Sequence, residues 1–230
     1  MTNKNTKKII SPIAYIKTDF NEKFGIPRQS GRVPSSKGVI VFEKQFQDDN
    51  ALREIESFSH LWLIFGFHKI EQTTFCPTVR PPRLGGNKKV GVFASRSPFR
   101  PNGLGLSCVK LEKIEKTENG CVLIVSGVDI LNNSPIYDIK PYLPSVDKIE
   151  NAVGGYSDNF LSHKLQVNFP SSLLDQIPVE KRQTLIDCLS EDPRPSYKSE
   201  SYNYGMSFAN FNIKFKVKQN VLYVEHLEKI

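Results

Sequence analysis

The chain has 230 residues, 39% of them hydrophobic and 24% charged, a balance that suits a soluble globular protein with a full core. Its formal net charge of +7 points to nucleic acid, an anionic surface or an anionic small molecule as partner. Four cysteines without a CxxC pair, four histidines without HExxH spacing and no apolar run near membrane-span length argue against a disulfide framework, a metal site and a transmembrane protein.

The opening MTNKNTKK is polar and basic with no signal-type apolar segment behind it, so a reduced, cytoplasmic setting is expected. Residues 9–16 predict a first strand, followed by the polar loop FGIPRQSGR at 24–32, hinged by Pro27 and Gly31. A short strand is expected at 38–42. Residues 48–58 predict a helix capped by Asp48 or Asp49, with Leu52, Ile55 and Phe58 as its apolar face. The run LWLIFGF at 61–67 reads as a strand buried on both faces, with His60 and His68 at its two ends.

Residues 79–107 hold six cations, four prolines, five glycines and no acid. Four of the cations are arginines (Arg80, Arg83, Arg96, Arg100), whose planar fork suits carboxylates, phosphates and base edges. Proline and glycine fix irregular backbone here, so the stretch reads as a built anion site rather than a loose basic tail. Within and after it, strands are expected at 89–94 and 104–114, then a hairpin turn at 117–120 into a strand at 121–130. The sequence Ser126-Gly127-Val128-Asp129 ends that strand with a glycine and a carboxylate, a pairing that permits close backbone approach to a ligand. A further strand near 136–139 leaves Asp138 and Lys140 on the face opposite Ile139.

Six or seven short strands, one helix and no βαβ alternation predict a mainly β protein, a barrel or sandwich over residues 1–150. The small, polar stretch 151–159 reads as a linker into a smaller α+β domain over 151–230. There a strand is expected at 163–169, a helical stretch at 171–189, and a hairpin of 206–218 with 221–229 about Gln219-Asn220. DPRPSY at 192–197 projects Arg194 between two prolines and offers Tyr197 as a stacking platform. Neither GxGxxG in a strand–helix context nor Walker spacing is present, so a nucleotide-like cofactor would bind outside those patterns.

The segments FGIPRQSG at 24–31, FSHLWLIFGFH at 58–68, VRPPRLGGN at 79–87, VGVFASRSPFRPN at 90–102, IYDIKPYLP at 136–144 and DPRPSY at 192–197 occur in one consistent order. In these the chain resembles the TsaA-like, or TrmO-type, family of tRNA adenine N6-methyltransferases. The resemblance implies a single-sheeted β-barrel that binds S-adenosylmethionine (SAM), a smaller C-terminal domain and a homodimer. It further implies methylation of N6-threonylcarbamoyladenosine at position 37 of threonine tRNA. Carried over by motif, the cofactor contacts are Gln29, Ser30, Gly31, His68, Lys69, Arg96, Leu106, Ser126, Gly127, Val128 and Asp129. Gly103 and Asn133-Ser134 depart from the family's usual Pro and Gly-Thr.

Methylation of a carbamoylated N6 calls for removal of its proton, and Asp138 and Asp192 are the candidate general bases. A threonyl carboxylate calls for an arginine fork, with Arg83, Arg100 and Arg194 as candidates, while Lys4, Lys7, Lys8, Lys88 and Lys89 suit tRNA phosphates. Two other readings stay open at this level. One is a non-catalytic RNA-binding barrel; the other is a SAM-dependent enzyme for an anionic small molecule.

Overall fold

A computed structural model describes residues 8–71, 74–160, 163–194 and 202–230. The first strands in chain order are β1 (Ala14–Thr18), β2 (Lys37–Phe42), β3 (His60–Gly66), β4 (Thr78–Val79) and β5 (Val90–Gly91). They are followed by β6 (Leu104–Thr117), β7 (Gly120–Ser126) and β8 (Ser134–Pro141). The short helix α1 (Pro144–Asp147) leads to β9 (Gln166–Asn168), α2 (Ser171–Leu174) and α3 (Val179–Ser190). The strands β10 (Tyr204–Phe208), β11 (Phe211–Lys218) and β12 (Val221–Lys229) complete the chain.

Six strands close into an antiparallel barrel in the order β1-β2-β7-β6-β3-β8, with β8 returning to β1. Closure pairs every strand on both sides and leaves no barrel edge for another chain to extend. Period-2 alternation fills the interior. Leu61, Leu63 and Phe65 of β3, Val109 of β6, Leu123 and Val125 of β7, and Ile16 and Ile40 are all buried. The sequence predicts β3 dry on both faces. It is not, because a single-layer barrel has one dry side, and Trp62 and Ile64 sit half-exposed on the outer wall.

The expected helix at 48–58 is two 3₁₀ turns, Asp49–Leu52 and Ile55–Ser57, split by Glu54 at φ 66°. Leu52, Ile55 and Phe58 lie three residues apart, the spacing of a 3₁₀ turn rather than of an α-helical stripe. Asp48 does cap the first turn, accepting from the Asn50 amide at 2.9 Å. The expected strand at 89–94 shrinks to β5, which pairs only with β4 before a 3₁₀ turn at Val92–Ala94. The first strand begins at Ala14 rather than residue 9, directly after Pro12 and the Ile13 amide that donates to Ile136 O.

Four C-terminal strands form a second sheet in the order β10-β11-β12-β9. The turn between β11 and β12 is Gln219-Asn220, both at positive φ (49° and 64°), as a type I′ hairpin requires. The single strand expected at 206–218 is broken by a turn at Ala209-Asn210. Pro178 divides the expected helix into α2 and α3, since proline lacks the N–H and disfavours helix in the residue before it. The two sheets share one core. Phe20 meets Phe208 edge-on with centroids 5.9 Å apart, and Phe24 stacks on Tyr204 and Phe215. No helix among the described residues is long and apolar enough to cross a membrane.

Candidate functional site

The barrel wall has a notch. Strand β7 ends at Ser126, and Gly127 turns the chain away at φ 72°. Pairing of β6 with β7 begins only at Lys110, so Ser107 and Cys108 lie beyond the end of β7. Residues 29–31 and 127–129 fill this gap. The Gly31 amide donates to Gly127 O at 2.9 Å, the Cys108 amide donates to Ser30 Oγ at 3.2 Å, and Ser107 Oγ donates to Asp129 Oδ1 at 2.6 Å. Above them, the Arg96 guanidinium donates to Gln29 Oε1 at 2.5 Å. Gln29, Ser30, Gly31, Arg96, Gly127 and Asp129 are thereby brought into one constellation.

Burial pushes the Asp129 carboxyl above the usual aspartate range, opposed in part by the Ser107 hydroxyl, backbone amides and the charge of Arg96. A half-buried carboxylate held by the Ser107 hydroxyl and backbone amides is oriented to accept a further bond from a ligand hydroxyl or ammonium. A Cβ added at Gly31, whose φ is 76°, would meet nothing within 4 Å, whereas one at Gly127 would touch the Gly31 backbone. Gly31 therefore borders open space, and Gly127 makes room for Gly31.

The C-terminal unit braces the same loop. Arg28 donates to the carbonyls of Asp192 (2.9 Å) and Arg194 (2.8 Å), and Arg32 pairs with buried Glu191 at 2.8 Å. Ser35 donates to Asp187 at 2.6 Å, and Thr184 of α3 donates to Ser35 O at 2.8 Å. Ser107, Arg28 and Arg32 are site residues that reading the sequence missed. Both arginines stand inside the loop motif, so their charge was the available signal; Ser107 carried none, because its role depends on where β7 stops.

Several expected residues lie elsewhere. His68 lines a cleft of about 260 Å³ with Arg100, Pro98, Asn102 and Tyr137, which Gln29, Arg96 and Asp129 do not line. Its ring accompanies Ser134 Oγ at 3.3 Å, and burial followed by the charge of Lys69 holds its pKa below the usual histidine value. Lys69 donates to Asn21 O at 2.9 Å. Ser126 is turned to Glu112 at 2.5 Å, and Val128 is core. Leu106 is 55% exposed on the outer wall, in one row with Ile64 of β3 and Asp138 of β8. Asp138 pairs with Lys140 through one oxygen and accepts the Ile139 amide through the other, both at 3.0 Å, but unlike Asp192 it is partly exposed and its charged partner is a surface lysine.

Asp192 is a buried knot: the Arg194 fork grips it at 2.8 and 3.0 Å, and His163 Nε2 lies 3.0 Å away. Burial alone would raise its pKa, but the hydrogen bonds from Arg194 and His163 outweigh it and hold the carboxyl below its ordinary value. Both oxygens are engaged, so Asp192 is poorly placed to take a proton, and Arg194 already spends its fork inside the chain. Arg100 donates to Ser95 O at 2.7 Å. Tyr197 and the side chain of Arg83 lie outside the described residues.

Comparison with known proteins bears on both units. A family model for the tRNA-methyltransferase O N-terminal domain matches residues 15–148, and one for the TrmO C-terminal domain matches 162–230. The chain is 36% identical to the Escherichia coli tRNA (adenine(37)-N6)-methyltransferase over 214 residues, covering 89% of this chain and 91% of that protein. A Pseudomonas aeruginosa relative, provisionally named an S-adenosylmethionine-dependent methyltransferase, is 39% identical across 82% of this chain and 83% of its own length. A crystal structure of TrmO from Pseudomonas aeruginosa superposes with a TM-score of 0.79 at 29% identity, covering 98% of each chain. With one family model covering the barrel residues and the other the C-terminal sheet, the chain belongs to the tRNA-methyltransferase O family.

Proposed function

We propose that this protein transfers a methyl group from SAM to N6 of adenosine 37 in tRNA. Family membership supports the reaction class, and the notch in the barrel wall is the observation that carries the assignment of residues. One of its loops lies in the motif segment 24–31 and the other follows β7; they meet through the Gly31–Gly127 hydrogen bond and enclose a restrained, half-buried carboxyl at Asp129. A carboxylate acceptor beside open backbone suits a ligand with both an ammonium and ribose hydroxyls. When bound, the cofactor supplies a methyl group already activated on its sulfonium, so the protein's task is alignment and exclusion of water. Asp129 accepts from the ligand's hydroxyl or ammonium donors, Gln29 is held in place by Arg96, Gly31 permits close approach, and Leu106 adds apolar contact on the outer wall.

For the acceptor, we favour threonylcarbamoyladenosine in threonine tRNA. Its N6 lone pair is delocalised into purine and carbonyl, so removing the N6 proton during attack restores nucleophilicity. Asp138 suits this role better than Asp192. It stands two strands from Leu106 on the outer face, roughly 10 Å at ordinary strand spacing, with a partly exposed carboxylate. Arg83 and Arg100 are the clamps proposed for the threonyl carboxylate, and Arg194 serves to hold the loop's brace. His68, in the cleft, and Lys69, beside it in sequence, extend the proposed cofactor contacts beyond the notch. A cytoplasmic homodimer completes the reading.

The test is incubation of the protein with SAM and tRNA, followed by mass spectrometry of anticodon-loop nucleosides. A methyl group gained on N6 of threonylcarbamoyladenosine supports the reading. Methylation of unmodified adenosine alone would remove the clamp, and no RNA product would remove the function. Binding whose salt dependence is flat would favour a small anionic substrate instead, since phosphate contacts make RNA binding fall steeply with salt.

A further inference from the structure

Two phenylalanines stand on the surface where an apolar ring has no structural task. Phe93 is 73% exposed and Phe75 is 58% exposed, and the two rings stack on each other with centroids 6.4 Å apart and planes 27° from parallel. Burying such rings is ordinarily favourable, so leaving them in water has a cost the fold does not recover by itself.

The backbone beneath Phe93 is pinned on every side. Val92 is 1% exposed and donates its amide to Pro77 O at 2.9 Å. Ala94 O accepts from the Tyr156 hydroxyl at 3.2 Å, Ser95 Oγ caps Val92 O at 2.8 Å, and Arg100 holds Ser95 O at 2.7 Å. Phe93 is therefore presented by a rigid turn, with its neighbours anchored and its ring outside. Phe99, in the same excursion, differs: Lys23 covers its ring at 5.2 Å.

The charge around the pair decides what can cover it. Residues 74–103 contain six cations and no acid, and Arg80, Lys88, Lys89 and Arg96 are exposed. A ring pair carried on a cation-rich, acid-free excursion suits a ligand that combines flat apolar faces with dense negative charge, which describes unpaired nucleotides. A second copy of the same chain would bring six more cations to this surface.

Building on the tRNA reading above, we propose that Phe93, backed by Phe75, is a stacking platform for one unpaired base of the RNA substrate, with Arg80, Lys88 and Lys89 holding flanking phosphates. The platform lies three residues before Arg96, which holds Gln29 at the notch, so one excursion carries both the platform and a proposed cofactor contact. Phe93 is a positioning residue in this scheme, and its contribution is insensitive to sequence because every base has a flat face.

The experiment measures binding of the full chain to an anticodon stem-loop RNA by fluorescence anisotropy across a salt series. It compares wild type, Phe93→Ala, Phe93→Trp and a Phe75→Ala Phe93→Ala double variant. Phe93→Ala is expected to weaken binding roughly 5- to 150-fold with the salt slope unchanged, whereas Phe93→Trp retains it. An abasic nucleotide stepped through the loop should, at one position, make wild type and Phe93→Ala bind equally. Thermal melts and light scattering on the same samples report folding and assembly. Wild-type RNA binding with undiminished affinity in the double variant overturns the platform alone. Loss of a dimer in Phe93→Ala with RNA affinity intact assigns the pair to a subunit interface and overturns it too. Wild-type protein that binds no RNA overturns the functional reading together with the platform.

Discussion

Replacing Gly31 by alanine separates the cost of backbone strain from the cost of obstructing a ligand. At φ 76° an L-residue is strained by about 1–2 kcal/mol, which for a chain this long lowers Tm by roughly 2–8 °C. Gly85 is a matched control, because its φ is 77° and an added Cβ there also meets nothing within 4 Å. The two alanine variants should therefore melt alike without ligand. They should part when SAM is added. At about a hundredfold excess over Kd, ligand stabilises the wild type by ~2.7 kcal/mol, and the Gly85→Ala protein should keep that gain. If the methyl at position 31 lowers affinity tenfold, the gain at the same concentration falls to ~1.4 kcal/mol, and a hundredfold loss leaves only ~0.4 kcal/mol. Differential scanning fluorimetry with and without SAM reads both quantities from one set of samples. Equal SAM-induced shifts in Gly31→Ala and Gly85→Ala would refute the argument that ligand approaches the backbone at the notch.

Asp129→Asn should abolish most of the SAM-induced shift while leaving the ligand-free protein as stable as wild type, or more so, at neutral pH. The sign follows from burial: a raised native pKa means the native state binds more protons than the unfolded one, so Asp129 costs stability as pH rises through that raised value. Melts from acid to neutral pH should show this fall in wild type and its absence in the asparagine variant. Asp192 has the opposite sign, contributing stability that is lost as pH falls through its lowered pKa. Asp192→Ala should cost about 3–5 kcal/mol in denaturant unfolding, the range for breaking a buried ion pair, while methyl transfer per folded molecule stays within a few-fold of wild type. Asp138→Asn should lower kcat with little change in KM or SAM affinity, and an unchanged kcat in single-turnover assays would dismiss it as the base.

Much of the barrel was legible because its signal is local. Alternation in residues 104–114 and 121–126, the two-residue turns at 118–119 and 219–220, and proline and glycine at the breaks each depend on a few adjacent residues. The failures were also local competitions. Three-residue spacing at Leu52, Ile55 and Phe58 mimics an α-helical stripe, and the weight of apolar residues in 61–67 masks the wet face of the barrel wall. Arg96 and Asp129 were recognisable as motif residues, but nothing in their spacing tells that a glutamine 67 residues earlier joins the first of them.

Chain order and side-chain chemistry were thus enough to establish a mainly β protein, the family motifs, and a cation-rich, acid-free excursion without stray counter-charge. Which cations remain available to a ligand was decided only by folding. Arg194 reads like a substrate-binding residue, yet its guanidinium grips Asp192, just as those of Arg28 and Arg32 are taken up by backbone carbonyls and Glu191. The physical reason is that an arginine fork satisfies whichever acceptor closure of the chain brings within 3 Å. That partner is set by strand register and by where β7 ends, both long-range properties of the closed sheet.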